Sequence, residues 1–249
     1  MVKRIVIPLF GLVICKLLIS CEDYGGFVEL PTSQMMVIVD KSRSIKYISP
    51  DDIKLKIRRY VNAIYHKKVV SEKFSLLNIN QNTGAISFDD RFDSPCATKD
   101  LSSSRNKNDQ NSYSDCLFKK NAWRNKIINK VDEVIKQQNN APATDVIGIF
   151  SAINNVVSNR DKSVDSFHVI ILSDLVNTVD KSKGSKGIRN GRDDFNQYLK
   201  NHRVSKLPVF AKVFVKIIAP DSYVFKQSDL NYWTEFFTAF GVEEIKFER

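Results

Sequence analysis

The chain has 249 residues, with 38 Lys and Arg against 28 Asp and Glu, which gives a formal net charge of +10. This length suits one sizeable domain, and there is no internal repeat or sign of a second domain. No nucleic-acid reading motif accompanies the positive charge, so no specific nucleic acid is expected as a partner. The three His residues lack zinc-ligand spacing, and there is neither a nucleophile–base signature nor a glycine-rich phosphate loop.

Residues 1–20 have the order of a secretory signal. Lys3 and Arg4 precede a mostly apolar stretch, which ends in Leu18-Ile19-Ser20-Cys21. These last four residues resemble the lipobox of bacterial lipoproteins, which implies cleavage before Cys21, its lipidation, and a place in the bacterial cell envelope, anchored to a membrane. An ordinary signal peptide or an uncleaved anchor is the alternative. Cleavage would remove three cations and no acid, lowering the formal charge from +10 to +7, and this charge favours anionic lipid or an acidic partner.

Export would leave two further cysteines, Cys96 and Cys116, in an oxidising compartment. An even pair there makes a disulfide plausible, with two free thiols as the alternative. The bridge would close a polar loop over residues 97–115, and closure of such a loop is worth about 3 kcal/mol in the chain-entropy model. We therefore expect a tether at 21–33 and one domain at 34–249, with a polar insertion around 93–116.

Strands and helices are predicted to alternate along that domain. The first strand is the apolar run 35–39, and the helix at 49–65 follows it, with Ser49 as a possible cap. Further strands are predicted at 74–79, 85–88, 167–172, 209–218 and 242–247. Further helices are predicted at 123–135, 146–157, 193–201 and 230–240, the last ended by Gly241. This alternation predicts an α/β fold with a Rossmann-like, doubly wound, mostly parallel sheet flanked by helices.

Polar residues follow three of these predicted boundaries. Asp40, Ser42 and Ser44 follow the first strand, Thr144 precedes a helix, and Asp174 follows the strand at 167–172. Because the carboxyl ends of parallel strands meet at one edge, these residues are expected to converge there, where open α/β sheets bind ligands. Their carboxylate and hydroxyl oxygens suit Mg²⁺ or Mn²⁺ better than zinc.

The pattern Asp-x-Ser-x-Ser, then Thr, then Asp resembles the metal-ion-dependent adhesion site of von Willebrand factor A (vWA) domains. The resemblance spans residues 34–247. It implies that Ser42 and Ser44 bind the ion directly, that Thr144 binds it directly or through water, and that Asp40 and Asp174 act largely through bound waters. One departure is Leu175, where the family often has Gly.

The resemblance implies a non-enzymatic, membrane-anchored binding module. It would capture an acidic residue of a protein partner through the divalent ion. The alternatives are a metal-dependent phosphohydrolase with Asp40 as nucleophile, and a metal-free structural component of an envelope assembly. Such phosphatases generally need a second acid two positions on, where this chain has Ser42. A basic loop follows Asp174, and the two alternatives for it are a border of the site or a solvated surface loop. Its cations are Lys181, Lys183, Lys186, Arg189 and Arg192.

Overall fold

Six strands and five helices alternate along the described part of the chain. The structure, a computed structural model, describes residues 32–42, 50–65, 71–79, 86–93, 107–137, 141, 144–160, 164–176, 190–220 and 223–248. The strands are β1 (Thr32–Asp40), β2 (Ser71–Ile79), β3 (Ile86–Asp93), β4 (Val164–Leu172), β5 (Lys212–Ile218) and β6 (Glu244–Glu248). The helices are α1 (Pro50–Tyr65), α2 (Lys107–Lys136), α3 (Val146–Ser158), α4 (Gly191–Lys200) and α5 (Gln227–Phe240).

The strands form one sheet in the order β3-β2-β1-β4-β5-β6. All neighbouring pairs are parallel except β2 and β3, which are antiparallel. The chain proceeds from β1 towards β2 on one side and from β4 towards β5 on the other, which is the strand order of a doubly wound sheet. The predicted α/β class and mostly parallel sheet are confirmed.

Helices cover both faces of the sheet. Since right-handed crossovers in opposite directions place their helices on opposite faces, α1 and α2 lie on one face and α3, α4 and α5 lie on the other. The two hydrophobic clusters follow this division. Met35, Val37 and Val39 pack with α1 and α2, whereas Met36 and Ile38 pack with α3 and α5. Burial on both faces explains why β1 reads as an uninterrupted apolar run.

The long helix α2 corrects two expectations. It begins at Lys107, sixteen residues before the predicted start at Trp123, so residues 107–115 belong to a helix and not to a loop. The apolar residues of its second half, such as Ile127 and Val131, are buried against the sheet. Once that half is helical, each preceding residue extends an existing helix and avoids the cost of nucleation. The polar composition of residues 107–115 therefore predicted their exposure correctly, but the predicted loop conformation was wrong.

The predicted strand at 209–218 also needs correction at its start. β5 begins at Lys212, and Val209 and Phe210 lie in a turn closed by a hydrogen bond from Ala211 N–H to Pro208 O (2.9 Å). The helix that follows β5 is α5, and its predicted C-terminal cap, Gly241, is confirmed. Its φ of 110° lies in the left-handed region, which glycine adopts without a Cβ clash.

A second glycine permits close packing of α4 on α5. A Cβ at Gly191 would lie 2.0 Å from the carbonyl oxygen of Tyr232.

Within the described ranges, no helix combines the length and apolar character that crossing a bilayer requires.

Candidate functional site

The winding of the sheet reverses between β1 and β4, and the candidate site lies at their carboxyl ends. Val39 pairs with Leu172 in the parallel register, so Asp40 and Ser173 are the next residues on neighbouring strands. Diverging connections leave a crevice at such a reversal, and open α/β sheets bind ligands there.

Asp40 is the last residue of β1 and is fully buried. Its Oδ1 accepts a hydrogen bond from the backbone N–H of Ser42 (2.9 Å), and its Oδ2 accepts one from the hydroxyl of Ser173 (2.7 Å). Burial raises the pKa of Asp40 above its ordinary value, and these hydrogen bonds and the charge of Lys41 oppose the rise. The carboxylate is therefore held in a fixed orientation at the carboxyl edge.

The segment after β4 turns sharply at Leu175. This buried residue has a φ of 56°, in the left-handed region, and its N–H donates to the hydroxyl of Ser173 (2.9 Å). The next N–H, of Val176, donates to Oδ1 of Asp174 (2.9 Å). The position where vWA domains often have Gly thus has the backbone conformation that favours Gly, although a leucine occupies it.

Asp174 lies in the electrostatic field of Asp40. Burial raises the pKa of Asp174 to about 6; the N–H of Val176 opposes the rise, and the negative charge of Asp40 adds to it. The side chain is only partly buried, so this carboxyl group reaches the surface while Asp40 lies below it. The two acids therefore belong to one site.

Thr144 reaches this edge through the segment that precedes α3. Ser42 forms a parallel bridge with Ala141, and the N–H of Ala141 donates to the carbonyl of Lys41 (3.1 Å). Thr144 follows three residues later and is 1% exposed, so its side chain is buried at the beginning of α3. Asp145 is the helix N-cap, and its Oδ1 accepts from the N–H of Gly148 (2.9 Å).

Lys41 has a structural role that the sequence pattern did not indicate. Its buried Nζ donates to the carbonyl oxygens of Val134 (2.8 Å) and Gln137 (2.6 Å), at the carboxyl end of α2. The last carbonyls of a helix carry partial negative charge, so an ammonium group there is stabilising. Burial lowers the pKa of Lys41, and the neighbouring Asp40 opposes this.

Tyr223 borders the same edge from the segment between β5 and α5. Its hydroxyl donates to Oδ2 of Asp229 (3.3 Å). Burial raises the pKa of Tyr223 to about 12, and the charges of Asp229 and Asp174 contribute to the rise. Because Tyr223 follows the carboxyl end of β5, this segment lies at the rim of the site, a feature for which the sequence gave no signal.

The structure therefore brings Asp40, Ser42 and Asp174 to one edge, with Thr144 buried beside them. It adds Ser173, which no motif singled out because its partner Asp40 is 133 residues away. Of the remaining predicted residues, Cys116 lies on α2 and Arg192 is exposed in the first turn of α4. Those outside the described residues are Ser44, Cys21, Cys96, Lys181, Lys183, Lys186 and Arg189.

The donors fit a hard divalent cation better than zinc. They are carboxylate and hydroxyl oxygens, which Mg²⁺ and Mn²⁺ prefer. The described residues hold no group of three His, Cys, Asp or Glu side chains of the kind that binds a metal by itself. Nearby positive charge would favour the ionised forms of both acids, whose pKa values are raised.

No protein-family model and no functionally curated protein sequence matches the chain. Similar solved structures include proximal thread matrix protein 1 from the mussel byssus, at 10% identity over 88% of this chain and 42% of that one, with a TM-score of 0.37. The manganese-loaded TRAP protein of Plasmodium vivax has 11% identity, 80% and 61% coverage and a TM-score of 0.36. The PilB minor pilin of Streptococcus sanguinis has 9% identity, 88% and 57% coverage and a TM-score of 0.44.

This chain thus spans between 42% and 61% of the length of these structures.

Proposed function

We propose that this chain is a non-enzymatic, membrane-anchored binding module of the vWA type in the bacterial cell envelope. Its carboxyl edge would hold Mg²⁺ or Mn²⁺ and capture an acidic group of a protein partner. The proposed ligand set is Asp40, Ser42, Ser44, Thr144 and Asp174. Lipid attached to Cys21 would tether the domain, and a Cys96–Cys116 disulfide would close the insertion.

The observation that carries this proposal is the arrangement around Asp40. Its carboxylate is fully buried, oriented by Ser42 and Ser173, and close enough to Asp174 to raise the pKa of that carboxyl group. One buried and one partly buried acid at the same edge repel each other and lose hydration, which is unfavourable unless something compensates. A divalent cation would compensate both charges.

The hydroxyl groups and the carboxylates of the proposed ligand set would have different roles. The hydroxyls of Ser42 and Thr144 are neutral donors, so they would bind a cation without cancelling its charge. Asp40 is buried and oriented by its hydrogen bonds, and Asp174 lies nearer the surface. Together they would hold the cation and leave its solvent side open to a partner. A bound divalent ion would act as a Lewis acid with an open coordination position, which a partner's carboxylate can fill.

The test is calorimetric titration of the intact protein with MgCl₂ and MnCl₂. Binding is expected, and Asp40→Asn should abolish it because the buried carboxylate charge is removed. Asp115→Asn is the matched control, since Asp115 is an exposed helix residue paired with Lys119. Retained folding of each variant is checked by urea unfolding. No heat of binding with the parent protein would refute the proposal.

One observation favours the metal-free structural alternative. Both carboxylate oxygens of Asp40 already accept hydrogen bonds from the protein, so the site is held together by groups of the chain itself. Partner capture from solubilised envelope separates the two functions, because capture through the ion requires the metal and EDTA should abolish it. Capture that survives EDTA would favour the structural alternative.

An assay with aryl phosphates addresses the phosphohydrolase alternative. No turnover is expected, because the position two residues after Asp40 is Ser42 and not an acid. Magnesium-dependent hydrolysis that Asp40→Asn removes would contradict the non-enzymatic proposal.

A further inference from the structure

The edge of the sheet opposite the candidate site presents an unusually exposed apolar turn. Val209 is 105% exposed and Phe210 is 59% exposed. They are the two central residues of the turn at 208–211, directly before β5. Single exposed apolar residues are common, but two adjacent ones at the tip of a turn place a large continuous apolar surface in water.

The turn is held firmly against the domain. Leu207 is 7% exposed and packs into the core, and its N–H donates to the carbonyl of Phe240 (2.9 Å). The N–H of Ala211 donates to the carbonyl of Pro208 (2.9 Å). Because both sides of the turn are fixed, Val209 and Phe210 cannot withdraw into the core without breaking these contacts.

Cations lie near this apolar tip in space or in sequence. The guanidinium carbon of Arg160, two residues after the end of α3, lies 3.9 Å from the ring centroid of Phe210. The chain has no Asp or Glu between Asp194 and Asp221. The exposed cations in that interval are Lys200, Arg203, Lys206 and Lys212. The exposed acids Glu243 and Glu244 border this surface on the β6 side, where the N–H of Glu243 donates to the carbonyl of Val213 (2.9 Å).

The same edge is where the chain enters the domain from its N-terminal segment. Ser33 pairs with Ser166, and Ser166 pairs with Lys212, so these three residues form one row across β1, β4 and β5. Neighbouring strands are about 4.8 Å apart, which places Lys212 about 10 Å from Ser33. A membrane attachment at or before Cys21 would therefore pull on the edge that carries Val209 and Phe210.

We propose that this edge docks on a bilayer containing anionic lipid. Val209 and Phe210 enter the interfacial region, and the cations around them contact lipid phosphates. A rigid apolar tip within a basic surface is the combination that binds such interfaces, because apolar burial and electrostatic attraction act together. A bilayer matches this surface better than a protein groove, because the cations lie around the tip on several segments of the chain.

Docking in this orientation would fix the direction of the candidate site. β1 has nine residues and runs from the docking edge to Asp40, a length of about 30 Å at the usual rise per residue. The carboxyl edge would therefore face away from the membrane, towards a partner. This inference uses the anchoring part of the proposed function and does not depend on the ion.

The test uses the protein extracted from bacterial membranes with its own anchor and reconstituted into vesicles of brominated phosphatidylcholine and phosphatidylglycerol. Phe210→Trp introduces a fluorophore at the tip, and contact with brominated acyl chains should quench its emission. Val224→Trp is the matched control, since Val224 is 55% exposed and lies between β5 and α5 at the carboxyl edge, so it should not be quenched. The parent protein, with Trp123 and Trp233 both 7% exposed, gives the baseline.

Lys206→Gln and Lys212→Gln test the electrostatic contribution. Each should lower the docking equilibrium constant about fivefold, the usual contribution of one cation near an anionic surface. Lys130→Gln, on the exposed side of α2, should leave docking unchanged. Omission of phosphatidylglycerol should likewise reduce the quenching of Phe210→Trp.

Two outcomes would overturn the proposal in distinguishable ways. If the protein floats with vesicles but Phe210→Trp is quenched no more than Val224→Trp, the anchor stands and the docking surface is wrong. If the parent protein does not float with vesicles, both the anchor and the docking surface are wrong. Metal titration of the same sample tests the ion site independently.

Discussion

The backbone at Leu175 provides a sharp test of how the candidate site is built. Leu175 directly follows Asp174, has a φ of 56°, and is 2% exposed within the larger hydrophobic cluster. Its side chain therefore stabilises the fold by burial while its backbone adopts a conformation unfavourable for any residue with a Cβ. Leu175→Ala and Leu175→Gly separate these two effects.

Leu175→Ala removes the buried side chain and keeps the backbone penalty, which should lower the free energy of unfolding by about 2–5 kcal/mol. Leu175→Gly loses the same contacts but removes a penalty of about 1–2 kcal/mol. Glycine also costs about 0.5–1 kcal/mol in chain entropy. The Gly variant should therefore be more stable than the Ala variant by about 0.5–1 kcal/mol, the reverse of the usual order.

The assay is urea unfolding followed by circular dichroism, with a thermal scan as a second measure. For a protein of this size the difference corresponds to about 2 °C in Tm. Val169→Ala and Val169→Gly form the control pair, because Val169 is fully buried in β4 and is not among the described residues with positive φ. There the Gly variant should be the less stable one. A Leu175→Ala protein more stable than Leu175→Gly would refute the reasoning.

Three further substitutions test other contacts around the site and the sheet. Ser173→Ala removes the hydroxyl that donates to buried Asp40 and should lower the free energy of unfolding by about 1.5–3 kcal/mol, measured by urea unfolding. Lys41→Met leaves carbonyls at the end of α2 without their donor; it should cost about 1–3 kcal/mol and speed amide hydrogen exchange in the last turn of that helix. His168→Gln should flatten the pH dependence of stability. Burial lowers the pKa of His168 to about 4 from 6.5, so the parent loses about 3 kcal/mol as pH falls through that interval.

The controls for these predictions use exposed residues of the same type. Ser151→Ala and Lys130→Met affect surface contacts and should change the free energy of unfolding by less than about 0.5 kcal/mol. Equal losses from Ser173→Ala and Ser151→Ala would contradict the importance of the bond to Asp40. A Lys41→Met protein with unchanged exchange in α2 would contradict the capping role of Lys41. Stability of His168→Gln that falls as steeply as the parent's below pH 6.5 would assign the acid sensitivity to other groups.

Much of the fold was predictable because burial on two faces leaves a strong signal. The run at 35–39 is apolar at every position, and it forms the middle of β1, next to the reversal of the sheet. Amphipathic periodicity likewise located α3 and α5. Edge regions were predicted less well, since β3 pairs on one side only and Phe210 belongs to an exposed turn despite its β-forming composition.

Part of the candidate site was predictable for the same reason. Asp40 and Asp174 each follow an apolar strand, so their convergence follows from parallel pairing alone. Ser173 and Lys41 were not predictable in these roles, because each is defined by a partner distant in sequence. The bonds to Asp40 and to the end of α2 exist only once the sheet and its helices are packed.

The sequence by itself determined the α/β class, the position of the central strand and the edge where the polar residues gather. Hydrophobic pattern and the direction of parallel strands depend only on local order and apply before any tertiary contact forms. Only the tertiary structure decided that Ser173 orients Asp40, that Leu175 bends the chain through a left-handed conformation, and that an apolar tip with surrounding cations lies at the opposite edge. Those features depend on which distant segments share one small volume, and no local pattern specifies that.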